Sequence, residues 1–199
     1  MPAVVEALER LGPVFRWREA RSAGLSDPAL HRLLVEGRLE RISHGLYLQV
    51  DTEFADGADL DLVVVAAANA TSTLCLTSAL VRHDLTDEIP MLIDVAVPRS
   101  ARLPKVSAPV RWHRFAPATF ELGRDVIALG SGYTIGLYSP ERSIVDAYRL
   151  RHLEGDELGR EALKAWLQQR GSQPSNLLEV AAPFPKAVGR LREDMRVLL

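Results

Sequence analysis

Five histidines (His31, His44, His83, His113, His152), one cysteine (Cys75) and the glycine-rich run "GSGYTIG" from Gly130 to Gly136 are where catalysis would first be sought in this chain. The histidines are scattered, and neither a His-Glu-x-x-His pattern nor a second cysteine completes a zinc site. The "GSGYTIG" glycines lack the Gly-x-Gly-x-x-Gly spacing that brings a backbone up to a pyrophosphate, and between two strand-like runs they read as a hairpin turn. There is no Walker loop and no Gly-x-Ser-x-Gly elbow. A nuclease-like domain would need Asp94 to be followed shortly by an acidic-x-Lys strand, holding a metal that activates water. The chain instead continues "VAVPRSARLPK", with no acidic residue before Lys105. Cys75, in an apolar "TLCL" context, reads as core filler, and His83 and His113 read as hydrogen-bonded structural residues. No catalytic residue, metal site or cofactor is expected.

The side chains left with chemistry to offer are cations, and the chemistry is phosphate binding. Net charge is only -2, but it is unevenly spread. Residues 1–50 hold seven Arg/Lys against six Asp/Glu, and residues 51–98 hold one against nine. Residues 99–124 then hold six against one, and residues 125–199 balance at ten each. The acidic block and the basic block (Arg99, Arg102, Lys105, Arg111, Arg114) either neutralise one another or leave the basic one for a polyanion or protein partner.

The elements around the first cations give them a purpose. "AVVEALERLG" puts Val4, Val5, Leu8 and Leu11 on one helical face and stops at Gly12-Pro13. "FRWREARSAG" reads as a short second helix, with Ala20 small enough for a helix crossing and Gly24 free to turn left-handed. Ser26 is a natural N-cap for a third helix with Pro28 in its first turn and Leu30, Leu33 and Leu34 inward, ending at Gly37. "RLERI" and "GLYLQ" are then two short strands joined at Ser43-His44-Gly45. That order is a winged helix-turn-helix over residues 1–50. The third helix would enter the major groove, presenting His31 and Arg32 beside Asp27 and Ala29, with Arg32 able to fork onto a guanine. Arg16, Arg18 and Arg21 of the second helix, and Arg41 and His44 of the wing, would meet phosphates. The same module used for docking a protein, without DNA, is the rival reading.

The stretch "VFRWREARSAGLSDPALHRLLVEGRLERISHGLYL" resembles the AbiEi-type antitoxins of type IV toxin-antitoxin systems, also described as AbiEi-like transcriptional regulators. "SALVRHDL" at 78–85, "IDVAVP" at 93–98 and "SPERSIVDAYR" at 139–149 follow that family's pattern in order, so the likeness spans about 150 residues. The resemblance implies an autorepressor that binds double-stranded operator DNA of its own operon and counteracts a nucleotidyltransferase-like toxin. Relatives carry more arginine on the third helix and wing turn than this chain does. That leaves the Arg99–Arg114 stretch, or self-association on repeated half-sites, to supply further phosphate contacts.

From residue 59 to 199 the pattern is that of an α+β domain, which the resemblance implies is the antitoxin domain. A helix over "DLDLVVVAAANA" and the Ser78 helix precede strands near 92–97, 110–115, 126–129 and 133–137. A helix then starts at Ser139-Pro140, where Arg142 and Asp146 can pair at i, i+4. "ELGREALKAWLQQRG" and a last helix from Pro185 end the chain. No apolar run reaches the roughly 20 residues that span a bilayer and no signal pattern opens the chain, so a cytoplasmic location is expected.

Overall fold

The computed structural model describes residues 2–50, 59–130 and 132–199. The start of the acidic block (51–58) and Ser131 of the Gly130–Gly136 run lie outside the described residues. The chain forms two compact units, the first comprising Met1–Ser72, Arg102–Pro109 and Ile127–Ile135, the second Thr73–Ala101, Val110–Val126 and Gly136–Leu199. The division at residues 50–59 read from sequence is drawn differently here, because three later segments pack with the N-terminal elements.

In the first unit, α1 (Pro2–Arg10) is followed by β1 (Val14–Arg16), α2 (Trp17–Ser22), α3 (Asp27–Val35), β2 (Leu39–Ser43), β3 (Leu46–Gln49) and α4 (Leu60–Ala68). Ser26 caps α3, its hydroxyl accepting from the Ala29 N–H at 3.3 Å, and Pro28 needs no intrahelical donor at that point. Gly24 takes φ 93°, the left-handed geometry that turns α2 into α3, and Leu25 behind it donates its N–H to the Ala20 carbonyl at 2.9 Å. Ala20, Leu25, Leu30 and Leu33 are buried together with Phe15, Leu39 and Tyr47 in one core. Each side chain lost from that core would leave a cavity the three helices cannot close.

One expectation is corrected. The segment read as the start of the second helix, Phe15 and Arg16, belongs to β1, which pairs antiparallel with β3 (Phe15↔Tyr47, Arg16↔Leu46) and makes a three-stranded sheet in the order β1-β3-β2. Val14 and Phe15 are both buried, so no alternation betrays the strand. The helix begins only at Trp17, whose N–H donates to the Gly45 carbonyl at 2.8 Å.

The second unit opens with β4 (Thr73–Leu74), α5 (Leu76–Arg82), β5 (Ile93–Pro98), β6 (Val110–Phe115) and α6 (Pro117–Phe120). The strands β7 (Arg124–Gly130) and β8 (Tyr133–Tyr138) follow, of which Ile127–Ile135 count with the first unit, then α7 (Pro140–Arg149), α8 (Arg151–Glu154), α9 (Glu157–Gln168), α10 (Pro174–Ala181) and α11 (Pro185–Leu198). The strands form a mixed sheet in the order β6-β5-β4-β8-β7, with β5 parallel to β6 and β4 parallel to β8. Helix α7 is the hub of the helical layer, its Ile144, Val145 and Tyr148 packing with Leu163, Trp166, Leu177 and Leu191 of α9 to α11. The expected α+β class, a winged helix followed by a mixed domain ending in helices, is the observed one.

Candidate nucleic-acid interface

The wing turn gathers the cations. Arg16 stands at the end of β1 and its Nη2 donates to the Ala67 carbonyl at the end of α4. Trp17, Arg18, Arg41, His44 and Tyr47 line one open cavity of about 630 Å3 with it. Arg41 Nη2 donates to His44 Nδ1 at 3.0 Å, and its Nε donates to the Ser43 carbonyl at 3.4 Å. With Nδ1 accepting, Nε2 is the ring nitrogen of His44 left to donate to a phosphate oxygen.

A second cavity, about 970 Å3, lies on the other side of the same turn. Its walls are Arg16, the wing from Ile42 to Leu46, Ala67 and Ala68, and residues 102–107. Ser43 Oγ donates to the Lys105 carbonyl at 2.6 Å, which lays this later segment along the wing. Arg102 and Lys105 therefore join Arg16, Arg18, Arg41 and His44 around one turn. Among the described residues no carboxylate pairs with any of these five cations.

The remaining expected contacts are placed differently. Arg21 sits over the Trp17 ring at 5.9 Å and donates to the Leu25 carbonyl at 3.1 Å, bracing the turn between α2 and α3. His31 and Arg32 are exposed on α3 and line neither cavity, and Arg32 pairs with Glu36 at 3.7 Å across exposed side chains. Asp27, the acid at the head of α3, accepts from Trp17 Nε1 at 2.8 Å. That bond aims the carboxylate at the indole. It also pins α3 to α2, a role for Trp17 that sequence reading missed although its position about two turns before the glycine was visible.

The Arg99–Arg114 group is divided between the two units. Arg102 and Lys105 belong to the first unit, and Arg99, Arg111 and Arg114 to the second. Arg111 is drawn into an internal network: its Nε donates to Asp94 Oδ1 at 2.6 Å and its Nη2 to Glu154 Oε2 at 2.9 Å. His113 Nε2 donates to the same Asp94 oxygen at 2.8 Å. The parallel register explains the grouping, since Asp94 faces Arg111 and Ala96 faces His113. Burial would raise the Asp94 carboxyl, but the His113 and Arg111 hydrogen bonds and the Arg111 charge outweigh it, and the group is held below its ordinary 3.8. Asp94 is thus a buried structural anion. His83 is likewise hydrogen-bonded, its Nε2 to the Tyr138 carbonyl at 2.7 Å, and burial pushes the Cys75 thiol far up, leaving it un-ionised.

Among the described residues no group of three or more His, Cys, Asp or Glu could hold a metal ion, and no helix is long and apolar enough to cross a membrane. Three helices, a left-handed glycine turn and a three-stranded wing sheet define the class of the N-terminal module as a winged helix-turn-helix. Residues 2–48 match the family model described as "Transcriptional regulator, AbiEi antitoxin", so the resemblance read from the sequence holds over this module. No curated protein matches the chain. The crystal structure of the RV2827C protein from Mycobacterium tuberculosis is similar in fold, with a TM-score of 0.55 at 19% identity over 91% of this chain and 79% of that one.

Proposed function

We propose that this protein is a DNA-binding autorepressor and antitoxin. In this reading its winged helix binds double-stranded operator DNA of its own operon, and residues 59–199 counteract a nucleotidyltransferase-like toxin. The observation that carries the DNA half is the group of cations around the wing turn, Arg16, Arg18, Arg41, Arg102 and Lys105, which have no carboxylate partner among the described residues, on a fold whose third helix exposes His31 and Arg32. Such cations supply phosphate affinity, whereas α3 supplies what base reading there is, through Arg32 and His31. The family match over residues 2–48 supports both the regulator and the antitoxin assignments. Because α3 itself is weakly basic, the wing carries most of the affinity, and self-association on repeated half-sites would multiply it.

A promoter reporter and a growth assay test the two halves together. The full chain should repress a reporter driven by the DNA upstream of its own gene and restore growth beside the toxin. The variant R18A/R41A should lose repression and keep rescue. Loss of both by a folded variant would mean that the cations serve the antitoxin activity, and retention of repression would remove the wing from DNA binding.

A further inference from the structure

A second cationic site, in the other unit, has no part in the DNA reading. A cavity of about 450 Å3 is lined by Arg149, Arg151, His152, Asp156 and Lys186, from the end of α7, the start of α8, the residue before α9 and the first turn of α11. Arg151 builds the junction, its Nη1 donating to the Tyr148 carbonyl at 3.1 Å and to the Lys186 carbonyl at 3.5 Å. Behind the cavity wall lies a triad of Arg142, Asp146 and Arg149. Asp146 accepts from Arg142 Nε at 3.0 Å on one oxygen and from Arg149 Nη2 at 2.8 Å on the other.

The triad is over-supplied with positive charge. Arg142 is fully buried and gives its other bonds to the Thr119 and Leu122 carbonyls, both at 2.6 Å, while its Nη2 has no hydrogen-bond partner. Both guanidiniums pack on the Phe184 ring, Arg142 at 4.8 Å and Arg149 at 5.2 Å. One carboxylate therefore faces two arginines in a place where water cannot screen the remainder. Arg149 carries that excess to the cavity, since its side chain keeps 23% exposure. Arg151 and Lys186 add to it. The only lining carboxylate, Asp156, stands 3.6 Å from Arg151 with both side chains largely in solvent, an attraction worth little. The first turn of α11 has neither an acidic residue nor a capping side chain, so its helix end adds a field of the same sign.

We propose that this cavity binds a polyphosphate chain, such as that of a nucleoside triphosphate or inorganic tripolyphosphate. Its volume is that of a small-molecule site, but its walls are ionic where most such sites are apolar, which selects a compact, multiply charged ligand. Asp146 holds Nε and Nη2 of Arg149 and leaves its Nη1 for a phosphate oxygen, Arg151 keeps Nη2, and the Lys186 ammonium adds a point charge.

Calorimetric titration of the full chain tests this with ATP, inorganic tripolyphosphate and adenosine, on wild type, R151A/K186E, the exposed-arginine control R192A and the DNA-face variant R18A/R41A. ATP and tripolyphosphate should bind saturably and adenosine should not. R151A/K186E should weaken both by at least about tenfold, because two charge-assisted contacts are lost. R192A and R18A/R41A should match wild type. Equal affinities for the two ligands would mean that the phosphate chain is the whole ligand, and tighter binding of ATP that the nucleoside also contributes. Absence of saturable binding, or binding undiminished in R151A/K186E, would overturn the proposal.

Discussion

Replacing Arg18 and Arg41 together should change how salt controls DNA affinity, and the size of the change follows from the wing. Among the described residues, Arg18, Arg41, Arg102 and Lys105 have neither a carboxylate partner nor a long-range bond that occupies the guanidinium or ammonium, whereas Arg16 is tied to the Ala67 carbonyl. Four such cations on phosphates give a slope of log affinity against log salt of about -3.6 per bound protomer, which is a loss of about 150-fold between 50 and 200 mM. R18A/R41A leaves two, for a slope of about -1.8 and a loss of about 12-fold over the same range. Fluorescence anisotropy with a labelled duplex from the upstream region reads both slopes, and circular dichroism checks that the variant is folded. An unchanged slope would refute the phosphate roles of both arginines. A wild-type slope near zero would move the winged helix to protein docking.

Arg32→Ala should cost about 1 to 3 kcal/mol on the cognate site and relax selectivity at one base pair, if the exposed guanidinium leaves Glu36 to read a guanine; equal loss on all sequences would make it a phosphate contact. Leu33→Ala, at a position 1% exposed where α3 meets the first core, should destabilise that unit by about 2 to 5 kcal/mol in urea unfolding. A loss under about 0.5 kcal/mol would contradict the packing described. Asp94 is held below its unfolded value of 3.8, so the unfolded chain takes up the proton first. Its stabilising contribution is present above about pH 4 and is lost as pH falls through the depressed folded value. Asp94→Asn should therefore be less stable than wild type at neutral pH and lose less between about pH 5 and pH 2, and parallel pH profiles would deny the ion pair.

What the chain reveals before folding depends on how local the cause is. Ser26, Pro28 and Gly24 set the helix-turn-helix through bonds within four residues, and their roles could be read directly. Strands β1 and β4 escaped because each has only two buried residues, adjacent in sequence, which cannot display a period. Helix α10, eight residues opening at Pro174 after Gly171, was passed over because the turn signals before it outweighed its Leu177 and Ala181. The site shows the same divide. Arg18, Arg41 and His44 lie close enough along one motif to be grouped from sequence, but the Ser43 to Lys105 bond spans 62 positions and brings in Arg102 and Lys105 by tertiary packing alone. Arg111 looked like a member of a basic cluster until the parallel register of β5 and β6 set it opposite Asp94. Of the two alternatives for the acidic and basic blocks, neutralisation is thus seen at Asp94 and Arg111, while Arg102 and Lys105 stand beside the wing with no carboxylate partner among the described residues.

Nuclease protection of the DNA upstream of the protein's own gene, against a shuffled duplex of the same composition at about 150 mM salt, tests the central claim most directly. The wing-and-helix account predicts a bounded protected stretch on the upstream DNA, absent from the shuffled duplex and absent with R18A/R41A. No protection, or equal protection of both duplexes, would contradict it.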